Sequence, residues 1–108
     1  MRYFKLLRVM PDFTSSGIWH NKLGFMIDHE DLGLSKELIV KFEKWINDYD
    51  DCFKFFPKDT VNSKKLNVVH KTGLLLAREL QTLFPKAKIW YWKEKYVKGK
   101  FTITKILI

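Results

Sequence analysis

The run from Lys71 to Glu94, KTGLLLARELQTLFPKAKIWYWKE, carries apolar residues at three- and four-residue spacing up to a single proline, and beyond it a Trp-Tyr-Trp strand. A helix that delivers its chain straight into a strand fixes an α+β architecture. Pro85 has no N–H and disfavours helical geometry in the residue before it, so the helix ends at Phe84. Its start falls near Asn62 or Ser63, both capping types. The buried stripe then reads Leu66, Val69, Leu76, Ala77, Leu80 and Leu83, with Gly73 in step. Glycine inside a helix costs about 1 kcal/mol relative to alanine. Its place on the stripe implies that another backbone or an aromatic ring approaches closely there.

The C-terminal segments KIWYWKEKYV and FTITKILI flank Lys98 and Gly99, and Gly99 supplies the positive φ that a two-residue hairpin turn needs. That turn pairs Val97 with Lys100, Tyr96 with Phe101, Trp92 with Lys105 and Trp90 with Leu107. The register sorts the faces. Trp90, Trp92, Tyr96, Phe101, Ile103 and Leu107 form the face expected beneath the helices. Tyr91, Lys93, Lys95, Lys100, Thr102 and Thr104 form a solvent-facing basic strip, bounded by Ile89, Ile106 and Ile108.

Upstream, Arg2 to Met10 reads as a strand closed by a turn at Pro11 and Asp12. Thr14 to Asn21 is polar, contains Gly17 and reads as a loop. Leu23 to Ile27 is an edge strand or a packed loop. A first helix begins at the N-cap Ser35, with Glu37 near its positive end. Leu38, Ile39, Phe42, Trp45, Ile46 and Tyr49 share one face of it. Phe53, Phe55 and Phe56 ahead of Pro57 make the following segment too aromatic for a free linker. The expected whole is one α+β domain over residues 1–108, with two helices on one face of a mostly antiparallel sheet of three to four strands and a C-terminal β-hairpin. A chain of this length buries roughly two-thirds of its unfolded surface.

The net charge of +8 is unevenly spread. Residues 28–51 hold eight acidic and three basic side chains, while residues 86–108 hold seven basic and one acidic. The molecule is electrically two-sided. Asp48, Asp50 and Asp51 lie at the C-terminal end of the first helix, where negative charge opposes the helix dipole. They mark a frayed end or a surface used outside the fold. The one cysteine, Cys52, cannot form an internal disulfide, and the short apolar pieces of the N-terminus suit neither a signal peptide nor a membrane span. A cytoplasmic protein without membrane contact is expected.

Catalytic constellations are not legible. Asp28, His29, Glu30 and Asp31 are metal-binding types, but neighbours on an extended chain do not converge on one ion. His20 and His70 stand alone, and the five glycines form no phosphate loop. No enzymatic activity, metal or other cofactor is implied. What remains is binding. Lysines interleaved with Tyr91 could stack a base and hold phosphates, which keeps a small nucleic-acid-binding module open as an alternative. The acids could instead meet a basic protein.

The pattern LGLSKELIVKFEKWINDYDD at residues 32–51, with HKTGLLLARELQTLFPKAKIWYWKE at 70–94, resembles a group of small bacterial proteins. Leu32, Leu34, Ser35, Glu37, Leu38 and Trp45 match its first helix. Gly73, Ala77, Arg78, Leu80 and the strand from Ile89 to Glu94 match its second helix and aromatic strand. These are immunity proteins of contact-dependent growth inhibition and related polymorphic toxin systems. The resemblance implies stoichiometric binding and neutralisation of a cognate toxin C-terminal domain, a nuclease being the expected class. Many immunity proteins against nucleases are acidic overall, and this chain departs from them in being basic. Partner contacts are expected from Trp19 as an aromatic anchor, Asp48, Asp50 and Asp51 as acids, and Tyr91, Lys93 and Lys95 on the basic face.

Overall fold

The structure, a computed structural model, describes residues 5–53, 61–97 and 100–108. Four strands and two long helices follow in the order β1 (Leu6–Val9), β2 (Ile18–His20), α1 (Lys36–Asp51), α2 (Ser63–Leu83), β3 (Lys88–Val97) and β4 (Lys100–Leu107). The sheet order is β2-β1-β3-β4. β1 pairs antiparallel with β2 and parallel with β3, and β3 pairs antiparallel with β4. A parallel pair needs a long crossover, which the two helices supply.

Local chemistry sets the helix ends. Ser35 Oγ accepts from the Leu38 N–H at 3.2 Å, and Asn62 Oδ1 accepts from the Lys65 N–H at 3.1 Å. Leu38, Phe42, Trp45, Ile46 and Tyr49 are buried on α1, and Leu66, Val69, Leu76, Ala77 and Leu80 on α2. Leu83, expected on that stripe, is exposed at its end. The Gln81 amide then donates to the carbonyls of Phe84 and Ala87 at 3.0 and 2.9 Å. Those two bonds hold the turn through Pro85 into β3.

The hairpin register is the one its turn geometry predicts, with Trp90 opposite Leu107 and Val97 opposite Lys100. The Lys98–Gly99 turn itself lies outside the described residues, as do Phe55, Phe56, Pro57 and the first residues of the expected Arg2–Met10 strand. Facing, however, is reversed. Ile89 and Tyr91 are fully buried beneath the helices, whereas Phe101, Ile103 and Leu107 are exposed and Trp90, Trp92 and Tyr96 half-buried. Parallel pairing with β1 decides this, because it sets Leu7 beside Ile89 and Val9 beside Tyr91. Gly73 completes the fit. A Cβ there would collide with the Tyr91 ring, so the ring expected over this glycine is the one assigned from sequence to solvent.

The Thr14–Asn21 stretch is not all loop, since Ile18–His20 forms the second strand. Leu23–Ile27 turns back over it instead, with Met26 bridging to Trp19. Gly17 precedes this strand at φ +78°, and a side chain there would also strike the Trp45 ring.

Candidate partner-binding surfaces

On the sheet face away from the helices, Arg8 from β1 and Lys105 from β4 approach Trp92 of β3 from the strands on either side. The Arg8 guanidinium lies 3.4 Å and the Lys105 ammonium 4.4 Å from the ring centroid. Arg8 is held there by donating to Asn21 Oδ1 at 3.2 Å and to the Asn21 carbonyl at 2.9 Å. The indole is clasped by two cations.

Further along the hairpin, Glu94 faces a cleft of about 260 Å³ whose walls include Met10, Phe13, Tyr49, Phe101 and Ile103. Tyr96 Oη donates to its carboxylate at 2.8 Å, and the Tyr49 hydroxyl is a second donor. Burial pushes the Glu94 carboxyl pKa up, the two phenols pull it down, and the charge on Asp12 pushes it up again. Burial raises both phenol pKa values, so each stays a donor. This cluster escaped the sequence reading. Its signal was there, since Glu94 is the single acid among the seven lysines of residues 86–108.

The residues chosen from sequence fall in separate places. Asp48 and Asp51 share a recess with Lys65 and Val68, and it adjoins a larger groove of about 610 Å³ between the helices. Asp48 pairs with Lys44 at 3.0 Å, both partners exposed, while Asp50 is half-buried. Trp19 is a β2 residue rather than a loop residue, half-buried, with Nε1 donating to the Met10 carbonyl at 2.9 Å. Lys93 is half-buried and Lys95 exposed. Tyr91 cannot touch a partner, because its side chain is fully enclosed in the core.

Groups with reactive potential are engaged in packing. His70 lies 2.7 Å from Tyr91 Oη through Nδ1 and donates to the Glu94 carbonyl through Nε2 at 2.9 Å. Burial pushes its pKa down to about 4. Burial also pushes the Cys52 thiol up to about 11, which keeps it protonated near neutrality. His29 Nε2 donates to the Ser16 carbonyl, and His20 Nδ1 accepts from the Lys22 and Leu23 amides. Among the described residues no three His, Cys, Asp or Glu side chains gather as metal ligands, and no helix is long and apolar enough to cross a membrane.

A family model described as Serratia CdiI immunity protein-like matches residues 5–94. The chain belongs to that family. The matched span of this CdiI-like chain runs from the start of β1 to Glu94 on β3, taking in both helices, and β4 lies beyond it. No curated protein and no solved structure shows significant similarity to it.

Proposed function

We propose that this CdiI-like chain neutralises a cognate toxin C-terminal domain of nuclease type by stoichiometric binding, with no bond made or broken. The observation that carries the reading is the family match across residues 5–94, which spans nearly all of the hydrophobic core. The surfaces suit the role. Exposed Phe101, Ile103 and Leu107 stand within a charged rim, the composition from which binding hot spots are built. Asp48, Asp50 and Asp51 supply negative charge for the basic cleft with which a nuclease holds its substrate, and such complementarity steers association. Trp19, Lys93 and Lys95 add a tethered aromatic and cations on other sides of the molecule.

The nucleic-acid alternative loses its stacking platform, since Tyr91 is core and Trp92 is already clasped by Arg8 and Lys105. Filter binding to single strands at low salt separates the two readings. Co-expression with the cognate toxin C-terminal domain tests the main one: cells survive and a one-to-one complex is recovered. Unrelieved toxicity with both chains soluble would reject it.

A further inference from the structure

We propose that the free edge of β4 pairs with an extended, acidic strand of the toxin, which adds a fifth strand to the sheet. This inference rests on the immunity reading and assigns it a binding mode. Among the described residues β4 is the last strand of the sheet, and of its eight residues only Ile106 is even half-buried. The Ile108 N–H donates to the Ile89 carbonyl at 2.9 Å. Hydrogen-bonded and non-bonded pairs alternate along an antiparallel ladder. Ile106, Thr104, Thr102 and Lys100 therefore turn their backbone groups toward β3, and Leu107, Lys105, Ile103 and Phe101 present theirs outward.

Natural sheets guard such an edge with proline, a bulge, short length or a projecting charge. Here the register runs unbroken over eight pairs and residues 100–107 contain no proline. Lys105 is the only charged residue among the four outward-presenting ones, and it lies over Trp92 rather than across the edge. The opposite edge shows the contrast. β2 has three residues and is covered by the turn that bridges Met26 to Trp19.

Charge selects the occupant. Seven lysines against one acid in residues 86–108 repel a second copy of the same hairpin and attract a strand rich in Asp and Glu. Backbone pairing supplies the affinity, and alternate apolar side chains of that strand would pack beside Phe101 and Ile103.

The test uses the full chain and the inactivated C-terminal domain of the cognate toxin. Ile103→Pro deletes an outward N–H and leaves the β3 ladder intact, the setting in which an edge strand tolerates proline. It should weaken binding roughly tenfold or more, and clearly more than Ile103→Thr, which gives up the same apolar contact but keeps the N–H. Amide exchange on the unmutated complex is read alongside and does not depend on the variant folding. Protection of Phe101, Ile103, Lys105 and Leu107 on adding toxin is the expected result. Unchanged exchange at those amides, or equal binding by parent and Ile103→Pro, would overturn the edge while leaving immunity standing. Protection without toxin in a dimer would assign the edge to a second copy and overturn the proposal too. A parent that does not bind the toxin at all removes the immunity reading itself.

Discussion

The Tyr91 hydroxyl donates to Nδ1 of His70 across 2.7 Å inside the core. The direction follows from the other ring nitrogen, because the Glu94 carbonyl near Nε2 can only accept. One tautomer is thereby fixed. Tyr91→Phe leaves Nδ1 buried without its donor, and urea denaturation should show a loss of about 1–3 kcal/mol.

The same histidine makes stability depend on pH. Its folded pKa of about 4 lies below the ordinary 6.5, so the unfolded chain takes up the proton first. Stability present above pH 6.5 is lost as pH falls toward 4, by an amount on the order of 3 kcal/mol. Glu94 works in the opposite sense, since its raised pKa favours the folded state at acid pH and that contribution fades as pH rises. His70→Gln isolates the two. Denaturation from pH 7 to 4 should give the variant a shallower decline than the parent.

Gly73→Ala should destabilise the fold even though alanine is the better helix former by about 1 kcal/mol. The new methyl meets the enclosed Tyr91 ring, which has no room to withdraw. A net loss of about 1–3 kcal/mol is expected from thermal or urea melts. Greater stability in the variant would mean that the ring does not rest on this glycine.

Removing Arg8 should loosen the outer sheet face. Arg8→Met keeps much of the apolar stem, but loses the stack on Trp92 and both bonds to Asn21. A double-mutant cycle with Trp92→Leu should report a coupling of about 0.5–2 kcal/mol.

Charge on α1 should matter to association more than to folding. Asp48→Asn with Asp51→Asn removes two acids from the recess beside α2. Stopped-flow mixing with the toxin domain should show slower association and a weaker salt dependence, with dissociation little changed.

Much of this fold could be read from the chain alone, and the failures share one cause. Ser35 and Asn62 announced both helices, Pro85 marked the turn into β3, and Gly99 set a register that holds from Trp90 to Val97. The facing of that register was not legible, because both faces of β3 are apolar: Ile89 and Tyr91 on one, Trp90 and Trp92 on the other. Bulk favoured the tryptophans. A long-range partner decided otherwise, since β1 brings Leu7 and Val9 alongside Ile89 and Tyr91. Short β2 was hidden for a similar reason, with Ile18 the sole apolar aliphatic residue between Gly17 and His20. Glu94 and Tyr96 are two apart on β3, but Tyr49 of α1 reaches them only through the tertiary fold, which no local window contains.

Calorimetric titration of this chain into the active toxin domain tests the central claim most directly, with residual toxin activity assayed at each ratio. The account predicts a single saturating transition at one-to-one, with activity falling in proportion to the toxin bound. Loss of activity at far less than one equivalent would contradict it, because only a catalyst could silence more toxin molecules than it holds.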